Sequence, residues 1–381
     1  MIELKLVELI KDLYPNREFI SLHEPSLNTK DIDIVTDVIK STYVSSIGKH
    51  VAGFENDISN YIHSKRAVVT SNGTSALHVA LHAAGISQND YVLTQALTFI
   101  ATVNAIDYCK GAEPIFIDVN KQTLGLCPLA LEEWLDRNAD HNEKGECIYA
   151  KNKRVIRACL PMHTFGHPIL IDEISDICKR WNIIFIEDAA ESLGSFYKGK
   201  HVGTFGLCGI FSFNGNKIIT TGGGGAVVSN NLDYIDRVKY LSTTAKEDHQ
   251  YYFIHNEIGF NYRMPNLNAA LGVSQLKKIN ELLLKKRKVA MTYKDFFQME
   301  DVEFFEEPEH CSSNYWLNTI ICKDLAQRNS ILEITNNNKI NTRPAWTPIN
   351  KLPMYSNAIK GCLEQTEWLF NRIINLPSSA I

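Results

Sequence analysis

Short apolar, β-branched runs recur through the first half of the chain, and helical patterns separate them. Ala67-Val68-Val69-Thr70 precedes a helix beginning near Thr74, and Tyr91-Val92-Leu93-Thr94 precedes another from about Thr98. Pro114 to Asp118, Val155 to Leu160 and Ile183 to Glu187 continue the alternation. None of these runs has a polar face. Strands of that kind, spaced by helices, predict a largely parallel sheet covered on both sides. Gly209 to Phe213 and Ala226 to Ser229 add two more strands. Beyond about residue 245 the pattern changes. Helical segments from about Asn266 to Met299 lead to shorter strands such as Tyr315 to Ile321. The predicted organisation is α/β, with a large domain over 1–245 that includes an N-terminal helical segment, and a smaller α+β domain over 246–381.

The chain of 381 residues is long enough for both domains to share an interface. A net charge of −4 gives no reason to expect a nucleic-acid partner. The run Lys285-Lys286-Arg287-Lys288 is short and reads as the solvated face of a helix. Nine cysteines without a CxxC pair predict reduced thiols, a cytoplasmic setting and no structural metal. The opening Met1 to Asp12 alternates charged and apolar side chains as an amphipathic helix does, unlike the apolar core of a signal peptide. No stretch is long enough to span a membrane, so no membrane partner is expected.

Ligands of parallel sheets bind at the carboxyl ends of the strands. Asp188 ends one strand, and the turn Ser71-Asn72-Gly73-Thr74-Ser75 follows another, so both could face one crevice. Lys217 closes Phe211-Ser212-Phe213-Asn214-Gly215-Asn216-Lys217, just before four glycines, Gly222 to Gly225. A strand-end acid and a later lysine in a small, glycine-flanked loop suit pyridoxal phosphate (PLP). The lysine would form a Schiff base, and the acid would keep the pyridine nitrogen protonated.

Each residue also has an ordinary explanation. Lysines near glycines are usually solvated, and a strand-end aspartate often caps a helix. Thr74 or Ser75 could cap the helix, or the turn's N–H groups could cradle a phosphate. Phe99 could be a core aromatic or could stack on a flat ring. Ser212 could bond a phosphate or simply face outward from its strand. Asn256 to Asn266 could be a connecting loop with Asn266 capping the next helix. Arg343, beside Trp346, could clamp a carboxylate or form a surface pair. The four glycines precede a strand and do not open a helix, so a dinucleotide fingerprint is excluded.

Taken together, these segments resemble the DegT/DnrJ/EryC1 family of PLP-dependent sugar aminotransferases, of PLP fold type I, from Glu24 to Ser379. The matching stretches are Gly73 to His78, Thr98 to Thr102, Glu187-Asp188-Ala189-Ala190, Phe211 to Phe213 with Asn216-Lys217, and Thr220-Thr221-Gly222. The resemblance implies Lys217 as the cofactor-bonding lysine and Asp188 as the partner of the pyridine nitrogen. It implies Phe99 as the stacking aromatic, and Gly73, Thr74, Ser75, Ser212 and Asn214 as further cofactor contacts. Glu191 departs from the Gln or His common near the cofactor's phenolic oxygen. Asn261 is implied to reach the cofactor phosphate of a neighbouring subunit, hence a homodimer with shared sites. Ser46, Gly48, His163, Arg263 and Arg343 are the implied substrate positions. Leu22 to Pro25, Thr42 to Lys49 and Thr243 to Lys246 are most similar to the legionaminic acid and bacillosamine branch. That branch implies transfer of an amino group from L-glutamate to C4 of a UDP-linked 4-keto-6-deoxy-2-acetamido sugar. Two alternatives remain at this stage. A sugar deoxygenase (a lyase) of the same fold has histidine where Lys217 stands; a non-catalytic nucleotide-sugar-binding protein would not need the lysine.

Overall fold

The computed structural model describes residues 2–381. Its centre is an eight-stranded sheet built from β1 (Arg66–Thr70), β2 (Tyr91–Gln95), β3 (Glu113–Ile117), β4 (Ile156–Cys159), β5 (Ile184–Asp188), β6 (Cys208–Ser212), β7 (Gly225–Ser229) and β8 (Ile359–Lys360). The spatial order is β1-β7-β6-β5-β4-β2-β3-β8. Every pairing is parallel except those of β7, which runs antiparallel to both β1 and β6.

The unbroken apolar runs form this sheet because both faces are covered. Successive side chains of a strand point to opposite faces. On β1, Ala67 and Val69 join the core that contains Phe54, Ile58 and Ile62 of helix α3 (Lys49–Ile62), whereas Val68 packs with Ala76, Val79 and Ala80 of helix α4 (Gly73–Ala83). β2 divides the same way, with Leu93 on the first face and Val92 on the second. Helix α5 (Ile100–Asp107) also lies on the second face, through Ala105 and Ile106. Full burial of each such Val, Leu or Ile contributes roughly 1.5–3 kcal/mol.

A second, antiparallel sheet follows the order Glu303–Phe304, Asn318–Ile321, Ile373–Leu376, Arg343–Pro344. The boundary expected at 245/246 does not follow the packing. The N-terminal helix α1 (Ile2–Leu13) buries Leu6, Val7 and Ile10 with Val289, Tyr293, Ile331 and Ile374, so it belongs to the core of this second sheet. Conversely, helix Asn266–Leu276 packs on α3 and on helix α2 (Thr29–Ser41), and β8 completes the edge of the large sheet beside β3. The amphipathic face read at the N-terminus is real, but its partners lie about 280 to 370 residues away in the chain. No described helix is long and apolar enough to cross a membrane.

The basic run also differs from expectation. Lys286 turns inward from helix Ile279–Phe297 and is 1% exposed, donating to the carbonyls of Trp316 (3.1 Å) and Ser378. Burial pushes its amine far below the usual lysine range.

Candidate active site

The strand ends converge as a parallel sheet requires. The carboxyl ends of β1, β5 and β6, together with the start of α5, enclose a cavity of about 350 Å³. Gly73, Thr74, Phe99, Asp188, Glu191, Ser212, Asn214 and Lys217 line it, as expected from the sequence.

Asp188 is buried at the cavity wall. Its Oδ2 accepts a bond from the Thr102 hydroxyl at 2.7 Å, and its Oδ1 accepts the Ala190 N–H at 3.1 Å. Burial raises its pKa; the Thr102 hydroxyl, the Ala190 N–H and the nearby Lys217 charge offset part of that rise. Among the described residues no cation bonds it directly. An acid buried in this way gains from a positively charged N–H donor placed in the cavity. Thr102 was not singled out from the sequence. The signal was present: it lies three residues after Phe99, one helical turn into the motif.

Lys217 reaches the cavity from the loop after β6, its side chain 14% exposed. Its Nζ lies 3.7 Å from the centroid of the Trp316 ring and 3.2 Å from Glu191 Oε1. The other Glu191 oxygen accepts the Phe165 N–H at 2.9 Å. Burial pushes the Glu191 carboxyl up to about 7, although Lys217 and the Phe165 N–H pull the other way. Near neutrality Glu191 is therefore protonated part of the time, which lessens the repulsion between an acid and a phenolate.

The turn before α4 has the geometry of an anion cup. Neither Thr74 nor Ser75 caps the helix. Asn72 does so, its Oδ1 accepting the Ser75 N–H at 2.7 Å. That leaves the Gly73 and Thr74 N–H groups without protein acceptors at the cavity wall. A Cβ on Gly73 would lie 3.0 Å from Ser212 Cβ, and one on Gly225 would lie 2.5 Å from the Asn72 carbonyl oxygen. Both glycines let β6, β7 and the turn approach closely enough to form the cup.

Other expected positions lie elsewhere. Ser75 is buried behind the turn, its hydroxyl oxygen 3.3 Å from that of Ser71. His163 was expected at the substrate, and this is corrected. It is fully buried, with Nε2 3.1 Å from Glu187 Oε2 and Nδ1 accepting the Ile169 N–H at 3.2 Å. Glu187 in turn accepts N–H groups of Gly203, Phe205 and Gly206, so the pair braces the strand that carries Asp188. Asn261 is exposed, and Arg263 pairs its backbone with Thr70 beside the turn. Ser46 and Gly48 lie in the loop before α3, with Gly48 against the Asn266 side chain. Asn266 does not cap its helix; its amide bonds the Tyr43 carbonyl and the His50 N–H. Arg343 lines an adjoining chamber that shares Asn216, Trp316 and Trp346 with the first.

The residues present fit PLP: an isolated buried acid for a ring N–H, a lysine within the same cavity, unsatisfied helix-start N–H groups for a phosphate, and the half-exposed Phe99 ring at the rim. The comparisons agree. Residues 25–380 match the model of the DegT/DnrJ/EryC1/StrS aminotransferase family. The chain is 38% identical over 363 residues to a GDP-perosamine synthase of Escherichia coli O157:H7, covering 95% of this chain and 93% of the relative. It is 36% identical over 306 residues to a UDP-4-amino-4,6-dideoxy-N-acetyl-beta-L-altrosamine transaminase of Campylobacter jejuni, covering 80% and 73%. Among solved structures it is similar to Helicobacter pylori PseC, an aminotransferase involved in the biosynthesis of pseudoaminic acid. There the TM-score is 0.83 at 26% identity, covering 94% of this chain and 93% of that one. The chain belongs to the DegT/DnrJ/EryC1/StrS aminotransferase family, whose members depend on PLP.

Proposed function

We propose that this aminotransferase moves an amino group from L-glutamate to C4 of a UDP-linked 4-keto-6-deoxy-2-acetamido sugar. The observation that carries the reading is the placement of Lys217 and Asp188 on one cavity beside the Gly73-Thr74 turn. The cofactor, when bound, supplies an electron sink next to the carbon that loses or gains the amino group.

The chain's own groups divide the remaining work. Asp188 would hold a proton on the ring nitrogen, because a positive charge beside it offsets the cost of burying its carboxylate. Thr102 and Ala190 fix the Asp188 carboxylate in place. Lys217 Nζ would take up and return the proton at the donor's α-carbon, and Glu191, 3.2 Å away, would exchange a proton with that amine. Gly73, Thr74, Ser212 and Asn214 would hold the phosphate end, and Phe99 would lie against the ring.

A homodimer with shared sites is part of the proposal. Tyr251, Phe253 and Ile258 are exposed on the loop that leads to Asn261, and Tyr43 and Ile47 are exposed ahead of α3. Apolar side chains in such number suit burial by a second copy. The lysine at position 217 opposes the deoxygenase alternative, and the assembled cavity opposes a non-catalytic one.

A GDP-linked 4-keto sugar is the second reading, favoured by the 38% identity to a GDP-perosamine synthase. The test is amination of UDP- and GDP-linked 4-keto-6-deoxy sugars by the PLP-loaded protein with L-glutamate, followed by mass spectrometry. A UDP-linked 4-amino product is expected. Product from the GDP sugar alone would select the second reading, and none from either would reject both.

A further inference from the structure

His78 closes the stretch Gly73 to His78 that carries part of the family resemblance, yet it does not line the cavity. It is buried one turn and more into α4, against the rings of Phe260 and Tyr262, whose centres lie 4.7 Å and 5.8 Å from its own. Its Nδ1 is 3.0 Å from the Tyr262 hydroxyl oxygen. Burial, together with the neighbouring His82, lowers the imidazole to about 4, although a bond to the Tyr108 backbone opposes this. Near neutrality the ring is therefore uncharged and can accept a hydrogen bond at Nδ1. Burial raises the Tyr262 phenol, which keeps that donor protonated.

Tyr262 also holds the other side of the phosphate turn. Its carbonyl accepts the Ser71 N–H at 2.7 Å, and Arg263 pairs antiparallel with Thr70. The Thr70 hydroxyl donates to the Asn72 carbonyl at 2.9 Å, and Asn72 caps α4. Tyr262 is itself anchored, its N–H bonding the Ser242 carbonyl at 3.0 Å and its ring stacked on Phe260 at 5.1 Å. One residue thus grips the chain before the turn through its backbone and the helix after it through its side chain.

We propose that Tyr262 and His78 are positioning residues for the cofactor's phosphate, a clamp that fixes the turn at Ser71 against α4 and so aims the Gly73 and Thr74 N–H groups. The circuit runs from Ser71 to the Tyr262 carbonyl, through the Tyr262 hydroxyl to His78, and back along α4 to Gly73. Neither residue touches the phosphate site; both act through the turn. Hydrogen bonds weaken steeply as the N–H leaves the line to its acceptor, so a small shift of the turn against the helix lowers phosphate affinity without opening the core. The inference rests on reading the Gly73-Thr74 turn as the phosphate cup, and it is independent of which sugar is aminated.

The test compares PLP with pyridoxal, which lacks the phosphate, by spectroscopic titration of the cofactor-free full chain. Tyr262→Phe removes one hydroxyl and keeps the stacked ring, so the variant should fold, with a thermal midpoint within about 5 °C of wild type. The expected result is a rise in the Kd for PLP of about 3–10-fold, the weight of one neutral hydrogen bond, with the Kd for pyridoxal within about twofold. His78→Leu should give the same split. His78→Asn, whose side-chain oxygen can stand near the place of Nδ1, should recover most of the PLP affinity. Equal losses for PLP and pyridoxal would overturn the proposal, because a general loosening of the fold has that effect. If wild type shows no preference for PLP over pyridoxal, the cup reading falls and takes the clamp with it. If wild type prefers PLP and Tyr262→Phe keeps that preference undiminished, the clamp falls alone and the cup stands.

Discussion

The two adjoining chambers are built on opposite terms. In the first, each charged group is held by a neighbour. Asp188 is fixed by Thr102 and Ala190, Glu191 by Phe165, and Lys217 by Glu191 and the Trp316 ring. In the second, the His23 ring nitrogens and the Asn341 Oδ1 are buried without a hydrogen-bond partner among the described residues. The first arrangement restricts where the reacting groups can sit, as proton transfer requires. The second leaves buried polar atoms unpaired, and the two tryptophans are the wall it shares with the first.

Removing a group from the first chamber should therefore cost far more than removing one from the second. Lys217→Ala should lower turnover by roughly 10⁴-fold or more while leaving the thermal midpoint near that of the wild type, because it removes the group that moves the proton. Measurable amino transfer in that variant would remove Lys217 from the mechanism. Asp188→Asn should slow the reaction with L-glutamate by about 10²–10³-fold, the effect of losing one preorganised electrostatic partner. A rate within tenfold of wild type would mean that the ring-nitrogen role is wrong.

His163 sharpens the contrast from behind the site. His163→Leu should destabilise the fold by about 3 kcal/mol, since Glu187 keeps its N–H donors but loses its buried imidazole partner. The KM for the sugar should change little. A large KM effect with unchanged stability would return His163 to the substrate.

Glu191 gives the smallest effect and one that depends on pH. Its carboxyl rises from the ordinary 4.5 to about 7 on folding. Between those values the folded chain keeps a proton that the unfolded chain has released, so stability is lost as pH rises through that window. Glu191→Gln should remove this dependence and stabilise the protein relative to wild type at pH 8 more than at pH 5, by up to about 3 kcal/mol. Denaturant titration of the cofactor-free protein at the two values checks it, and equal differences at both would contradict a raised carboxyl.

The first chamber was largely legible in the sequence, and the second was not. Asp188 and the Gly73-Thr74 turn sit at ends of apolar runs, and a parallel sheet has to gather such ends on one side. The phosphate-cup or helix-cap choice at Thr74 and Ser75 needed the structure, because Asn72 takes the cap and frees the turn. Lys286 was misread because a run of charges normally faces water; two carbonyls from segments 30 and 92 residues away draw it inside. His163 was misread for a similar reason, since its partner Glu187 lies 24 residues on. The second chamber joins His23 to Arg343 and Trp316, and no local pattern encodes contacts over such separations. The N-terminal helix shows the same limit. Its apolar face was visible, but its packing against the second sheet was not.

The most direct test of the central claim is the absorption spectrum of the PLP-loaded protein before and after L-glutamate. A visible band from cofactor bound to Lys217 is expected, lost to a near-ultraviolet form when glutamate is added and absent as a lysine-linked species in Lys217→Ala. A wild-type protein with no visible band, or a band that glutamate leaves unchanged, would contradict it.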